Sequence, residues 1–390
     1  MGQHGILCWW RENQRLGDLL KQLIMAQYIN SNKEYYWGDW YFKNHVMADD
    51  FNYKAHKKEL SPYFEERGFK VSMMFDDYFS SLSGIHSDRY LSMDVYYFYV
   101  IPALNRHDFK DAYLDKNIYS ELFPQIKQPA SIIKNIHGHY YLNGEEVSQQ
   151  QAIDAVNTCD ADLIIKPTVE TCNGEGVEQI NQRDVAALKA LFDQYAFNFI
   201  VQEKVKQHPH LQRVNPTSLN SMRLYTYRRL DGSYEYLYPF AHMRFGGKGA
   251  IKDNVSQGGG TCLINPDGAV DDRVFRFKSK EVSSLKRETG VENLVVPNYD
   301  KVIETLKCLH RRLPYFDYVG WDVTVLPDGE PLLIEFNLVP SVEGPQLMAG
   351  PMFGSLLDEV IERARRVECA RMQTFKKTFD KQMTFYLHMQ

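Results

Sequence analysis

Between residues 127 and 205 the chain alternates short apolar and polar runs that end at turn-forming residues. The stretch "KQPASIIKNIHGHYYLNGEEVS" predicts two short strands, with turns at His137-Gly138 and Asn143-Gly144. "SQQQAIDAVNTC" follows with helical spacing, and Ser148 is placed to cap it. "DLIIKP" predicts a buried strand stopped by proline, "NQRDVAALKALFDQYA" an amphipathic helix, and "NFIVQEKV" another apolar strand. Elements of both kinds in such short order predict a small α/β module over about 127–205.

The pattern then turns to hairpins. "MRLYTYRRLDGSYEYLYPFAHMRFG" places Asp231-Gly232 between two strand-like runs, and a two-residue turn there sets Arg223 opposite Phe240. Arg244 lies an even number of positions beyond Phe240, so Arg223 and Arg244 share one face. Another turn is expected at Asp267-Gly268 and a helix over "DKVIETLKCLHRRL". Residues 1–110 are rich in aromatics, poor in glycine and read as mostly helical. Residues 355–390 read as a charged C-terminal helix. The layout expected is therefore a helical region over 1–110, a first α+β unit over 111–205, a second over 206–354 and a terminal helix over 355–390.

The acids in "GWDVTVLPDGEPLLIEFN" break an otherwise strand-forming pattern. A two-residue turn at Asp328-Gly329 pairs Val323 with Ile334, Val325 with Leu332 and Trp321 with Phe336, all on one apolar face. On the other face Asp322 lies across from Glu335, and Asn337 is opposite Gly320, where there is room for something else to enter. Opposed carboxylates repel, and burial adds to the penalty; a divalent cation relieves both. Two carboxylates and an amide carbonyl are oxygen donors suited to Mg²⁺ or Mn²⁺ rather than zinc. Because Mg²⁺ usually completes its octahedron with water and phosphate oxygens, the hairpin points to a nucleoside triphosphate as well. The competing reading is a solvated hairpin face, and Pro327 and Pro331 could shift the register by one residue.

Phosphates need cations and close backbone approach. No P-loop motif is present: "GGKG" at 246–249 and "GEG" at 174–176 both fall short. The best candidate is "IIKPTVETCNGEGVEQI", where a strand delivers Lys166 to a loop containing Thr171, Asn173, Gly174 and Gly176. The Arg223/Arg244 face suits a γ-phosphate or an anionic substrate. Lys252, Asp253 and Asn254 precede "SQGGG", a glycine run suited to a loop that closes on substrate.

Composition excludes several alternatives. A net charge of −5 over 390 residues, with 44% apolar and 24% charged residues, describes a globular protein without the basic surplus of a nucleic-acid binder. The six cysteines show no metal spacing and read as reduced thiols. The five apolar residues from Ile6 to Trp10 are too few for a signal core or membrane span, so a cytoplasmic protein is expected. His137, His139, His208 and His210 read as ordinary loop or core histidines.

A lysine loop, then "VQEKV", then Asp-x12-Glu-x-Asn on a hairpin resembles the ATP-grasp superfamily. Within it the chain is similar to the sugar-transfer-associated ATP-grasp group. That likeness is carried by "LDKNIYSELFPQIKQP", "KQHPHL", "SLNSMRLYTY", "IKDNVSQGGG" and "VGWDVTV…IEFN", from about 110 to 350. The resemblance implies an α+β ATP-grasp fold, two subdomains clasping ATP, beside a mostly helical N-terminal region. It implies Lys116 and Lys166 on the ATP phosphates, and Asn173, Gly174, Glu175 and Gly176 as a lid. Gln202, Glu203, Lys204 and Val205 would line the adenine, with main-chain groups of Glu203–Val205 reading its edge. Asp322, Glu335 and Asn337 match the metal triad in order and spacing. Arg223, Arg244, Lys252 and Asn254 fall on the substrate side. "KQHPHL" offers Gln207, His208 and His210 where a ribose-binding acid is usual, so the ribose contact stays unassigned.

The activity implied is that of an ATP- and Mg²⁺-dependent carboxylate–amine ligase working through an acyl-phosphate, near polysaccharide synthesis. Its partners would be a small carboxylate and an amine or sugar; nucleic acid and a membrane span are not expected, and an oligomer stays open. The alternative is a kinase of the same fold that phosphorylates a hydroxyl. The residues do not separate the two.

Overall fold

The computed structural model describes residues 59–169, 176–247, 249–250, 258–277, 279 and 281–367. They fall into two units. One contains residues 59–78, 86–100 and 361–367; the other contains 79–85 and 101–360. The chain is α+β. Residues 59–122 form short helical segments, such as Pro62–Glu65, whose N-terminus is capped by Ser61. The chain is helical from 357 to 367. Residues 1–58 and 368–390, on which part of the helical expectation falls, lie outside the described residues.

The larger unit holds two antiparallel sheets. The first is built from β1 (Ser131–Ile136), β2 (His139–Leu142), β3 (Glu145–Val147), β4 (Leu163–Pro167), β5 (Glu178–Gln179) and β6 (Phe199–Glu203), ordered β3-β2-β1-β6-β4-β5. Three strands, not two, occupy residues 131–147, because both expected turns close. His137, Gly138, Asn143 and Gly144 all take positive φ, as a two-residue hairpin turn requires. Helices α1 (Gln149–Thr158) and α2 (Val185–Tyr195) cover one face. Ser148 and Gln151 form a reciprocal capping box at the start of α1. Ala152, Ile153 and Val156 of α1 pack with Leu188 and Phe192 of α2 on Ile133, Leu163, Ile165, Phe199 and Val201. By strand alternation, Lys166 and Gln202 stand on the opposite face.

The second sheet runs β12-β11-β10-β9-β7-β13-β14, with β8 added on β7. Its strands are β7 (Ser221–Arg228), β8 (Tyr234–Tyr236), β9 (His242–Phe245), β10 (Gly260–Leu263), β11 (Arg273–Arg276), β12 (Glu281–Ser284), β13 (Tyr318–Val325) and β14 (Pro331–Asn337). Helix α3 (Tyr299–His310) buries Val302, Leu306 and Leu309 against Met222, Leu224, Trp321, Val323 and Phe336. Beneath that core Trp321 Nε1 donates to Thr226 Oγ1 (2.8 Å), which is 2.8 Å from His310 Nδ1, and His310 Nε2 is 2.9 Å from the Phe316 carbonyl.

Both site-bearing hairpins depart from the expected register. At the β13–β14 turn Leu326 N–H bonds to Glu330 O (2.9 Å) and Gly329 N–H to Leu326 O (2.9 Å), so three residues rather than two form the loop. Val325 then pairs with Pro331, Thr324 with Leu332 and Val323 with Leu333; Leu333, not Leu332 or Ile334, enters the core beside Phe336. A bulge between Asp322 and Val323 restores the expected pairs Asp322–Glu335, Trp321–Phe336 and Gly320–Asn337. In the other hairpin Leu230 to Gly232 form the loop, and β9 rejoins β7 with Arg223 opposite His242 rather than Phe240. Arg244 pairs with Ser221, so the parity holds and both arginines share a face.

Candidate functional site

One row of side chains crosses the centre of the second sheet. In register order it reads His242 on β9, Arg223 on β7, Asp322 on β13 and Glu335 on β14. Asp322 is 2% exposed, and both its oxygens are engaged. Arg223 grips it with two N–H groups, one from Nη2 to Oδ2 at 2.8 Å and a shorter one from Nε to Oδ1. Arg244 Nη2 reaches Oδ2 at 3.1 Å and also donates to Ser221 Oγ at 2.8 Å. Burial disfavours charge on Asp322, yet the two guanidiniums outweigh it and hold the carboxyl well below the usual carboxylate range. Burial likewise opposes the Arg223 charge, and Asp322 more than restores it.

The neighbours on this face were not foreseen. His242 is buried, and burial with the adjacent arginines pushes its pKa down to about 3, so it is neutral near pH 7. Burial raises Tyr225 to about 12, keeping its phenol protonated. Both were readable by alternation, since Tyr225 is two residues from Arg223 and His242 two from Arg244.

Lysines of the first α+β half converge on Glu335. Lys116 Nζ is 3.5 Å from Glu335 Oε2. Lys116 opens a short 3₁₀ turn capped by Asp115, and its N–H donates to Thr168 O at 3.1 Å. Asn117 Nδ2 bonds Thr168 Oγ1 and Asn135 O, both at 3.1 Å. These bonds tie the Lys116 turn to the end of the strand that carries Lys166. Burial, with Lys116 nearby, pushes the Lys166 ammonium down to about 8, while Glu335 pulls it back up. Lys116, Lys166 and Glu335 thus form one electrostatic group.

On the same face of the first sheet as Lys166, Gln202 is buried, with Nε2 donating to Pro129 O (3.2 Å) and Ser131 Oγ (3.3 Å). Its Oε1 has no hydrogen-bond partner. The strand stops at Glu203 rather than running to Val205. The N–H groups of Glu203 and Lys204 already bond to Ala130 O and Asp162 O, so neither is open to a base. Gly176 closes the glycine loop at φ +69, where a Cβ would lie 2.8 Å from Pro167 Cγ, and its carbonyl accepts from Tyr195 (2.6 Å). Thr171, Asn173, Gly174, Glu175, Lys252, Asp253 and Asn254 lie outside the described residues.

The three expected metal donors differ in availability. Glu335 is about a third exposed and contacts one lysine, and Asn337 Nδ2 is buried with no partner. Glu335 and the Asn337 amide oxygen, two positions apart on one strand face, are oxygen donors of the kind a hard cation takes; the unpartnered Nδ2 can only donate a hydrogen bond. Asp322, wrapped by two arginines, does not fit as arranged. Among the described residues no group of three or more His, Cys, Asp or Glu could hold a metal. The room expected beside Gly320 is filled by the chain itself, since a Cβ there would lie 2.7 Å from Pro340 Cβ.

No curated protein matches the chain. Among solved structures it is similar to the D-Ala:D-Ser ligase VanG of Enterococcus faecalis, at 14% identity and TM-score 0.38, covering 64% of this chain and 61% of that one. It is also similar to a D-alanine–D-alanine ligase of Bacillus anthracis, at 16% identity and TM-score 0.37, covering 66% and 69%. A third is the ATP-grasp ligase PsnB complexed with minimal precursor, Mg and ADP, at 13% identity and TM-score 0.36, covering 65% and 60%. The chain thus spans less than two thirds of the first of these ligases. The family model described as sugar-transfer associated ATP-grasp matches residues 185–362, which include β6 through β14, both arginines and the β13–β14 hairpin.

Proposed function

We propose that the protein is an ATP- and divalent-cation-dependent carboxylate–amine ligase acting through an acyl-phosphate. The observation that carries this reading is the convergence of Lys116 and Lys166 on Glu335, beside an arginine pair fixed on the same sheet face. Lys116 and Lys166 would bind the β- and γ-phosphates as point charges. Gln202 Oε1, an orphaned buried acceptor, would take a hydrogen bond from the exocyclic amine of adenine. Glu335 and Asn337 would hold the cation, which supplies neutralisation of phosphate charge when bound.

In the first step a substrate carboxylate oxygen attacks the γ-phosphorus and the bond to the β-phosphate oxygen breaks, releasing ADP. An amine then attacks the acyl carbon, the C–O bond to phosphate breaks, and the amine proton leaves with the medium. Arg223 and Arg244 would face the transferring phosphoryl group and the acyl oxygen, where negative charge develops. The described chemistry needs no covalent nucleophile; the thiol of Cys262 is buried and its pKa raised, which suits a packing role. The family context favours a sugar or polysaccharide precursor as acceptor, joined to an amino acid or other acyl group.

The kinase alternative predicts a different product from the same nucleotide site. Incubation with ATP, Mg²⁺ and a panel of acids, amines and amino sugars, followed by mass spectrometry, separates them. One ADP and one free phosphate per amide supports the ligase; a stable phosphorylated product with no free phosphate replaces it with the kinase.

A further inference from the structure

Asp322 and Glu335 face each other across adjacent strands, but their surroundings assign them different tasks. Asp322 is 2% exposed, and its two oxygens accept from Arg223 Nε, Arg223 Nη2 and Arg244 Nη2. A cation brought to Asp322 would sit directly against two buried guanidiniums, whose like charge opposes it. Glu335 carries one lysine contact at 3.5 Å and is open to solvent on about a third of its side chain. Asn337 lies two residues away on the same strand face, and its amide oxygen, not the unpartnered Nδ2, is the atom that could ligate a cation. Mg²⁺ commonly takes only one or two protein carboxylates beside substrate phosphates, so the hairpin does not need both acids.

We propose that Asp322 is not a metal ligand but a positioning residue, a carboxylate that clamps Arg223 and Arg244 on the substrate side of the sheet. The cation would rest on Glu335, Asn337 and ligand oxygens. The proposal builds on the ligase reading above. Its logic is preorganisation: two long cationic side chains are held in one geometry before substrate arrives. Arg223 is gripped by two parallel N–H bonds, and Arg244 is pinned from a second side by Ser221.

The test uses Mn²⁺ and the non-hydrolysable ATP analogue AMPPNP on the full chain. Electron paramagnetic resonance titration should show Mn²⁺ affinity falling at least about tenfold in E335Q, and changing no more than about threefold in D322N. The Arg223 Nε–H resonance of isotope-labelled wild type, assigned by its loss in R223K, should persist when Mg²⁺ and AMPPNP are added, and its loss on loading overturns the clamp; D322N should lower kcat while the KM for ATP stays within about threefold, a split that loss of a merely structural ion pair would not produce. If D322N does not fold, anomalous diffraction from wild-type crystals with Mn²⁺ and AMPPNP decides the matter directly. Manganese on Glu335 and Asn337 with both Asp322 oxygens still on the arginines supports the clamp. An Asp322 oxygen within about 2.4 Å of manganese overturns the clamp while leaving the ligase reading standing. Manganese absent from the hairpin overturns that reading and the clamp together.

Discussion

Glu335 Oε2 lies 3.5 Å from Lys116 Nζ, a contact that joins the second sheet to the element leading into the first. It makes one carboxylate the meeting point of the cationic half of the site and the hairpin half. Glu335 also opposes the loss of the Lys166 proton, so its charge is felt by both lysines. On the proposed reading, the phosphates would come between the lysines and the acid.

Glu335→Gln keeps the shape of that residue and removes its charge. Turnover of ATP should fall about 10²–10³-fold, in the range seen when one preorganised electrostatic group is removed. Because Glu335 is partly exposed, the melting temperature should stay within a few degrees of wild type. Steady-state kinetics beside a thermal melt check this, and retained turnover in a folded E335Q protein removes Glu335 from the site.

Lys166 titrates near pH 8 because of burial and the neighbouring Lys116. Its cationic form, the one able to bind phosphate, dominates below that pH and is lost above it. In the nucleotide-free protein, ATP affinity should therefore weaken as pH rises from 7 to 9. E335Q should move the onset to lower pH, since Glu335 is the group that raises the Lys166 pKa. Lys166→Arg should flatten the profile, because a guanidinium stays charged throughout. Calorimetric ATP titrations at several pH values test all three; a profile identical in K166R assigns the limb elsewhere.

Gln202 holds its amide nitrogen against Pro129 O and Ser131 Oγ, which fixes the unpartnered Oε1 as an acceptor. Such an acceptor favours the amino group of adenine and disfavours the carbonyl oxygen of guanine. Gln202→Leu should raise the KM for ATP about tenfold and leave the KM for GTP nearly unchanged. Parallel kinetics with the two nucleotides measure the change in preference.

Asp322 lies opposite Glu335, as strand alternation from the turn predicts, although the turn itself differs. The assumed turn was one residue too short, because a Pro327-Asp328-Gly329 loop can close either as two residues or as three, and local residue preferences do not choose between them. A bulge at the far end of the ladder then restored the pairing at the acids. The strand alternation that put Asp322, Glu335 and Asn337 on one face was legible because it depends only on parity near the site. The identity of the inward residues near the turn was not, and Leu333 took the core position expected of its neighbours. Legibility ended in the same way for the arginines. Their shared face followed from even spacing, but their joint hold on Asp322 depends on β9 and β13 both flanking β7, a topology that no local pattern specifies. Lys116 could be placed only by resemblance, since its position rests on hydrogen bonds between Asn117, Thr168 and Asn135, far apart in the chain.

Beneath the site Thr226 Oγ1 accepts from Trp321 Nε1 and sits 2.8 Å from His310 Nδ1, to which it donates its single proton. His310 Nε2 then donates to Phe316 O, so every polar atom in the chain is used. Thr226→Val preserves shape and leaves the indole N–H and an imidazole nitrogen buried without partners, which should cost about 2–4 kcal/mol. Protonating His310 would break the same chain, because Nδ1 must accept. Burial lowers its pKa to about 4, below the ordinary histidine value of 6.5. Between those limits the unfolded chain binds a proton that the folded one refuses, so stability rises with pH there. The His310 contribution is complete above about pH 6.5 and is lost as pH falls toward 4, with a slope of up to about 1.4 kcal/mol per pH unit. His242, lowered by burial to about 3, acts in the same direction over a window that extends further down. Urea unfolding at pH 7.5, 6 and 5 should therefore show a declining midpoint in wild type. The decline should be shallower in His310→Gln, which starts less stable but has one fewer proton to refuse. An equal decline in both proteins would place the acid sensitivity outside this chain of hydrogen bonds.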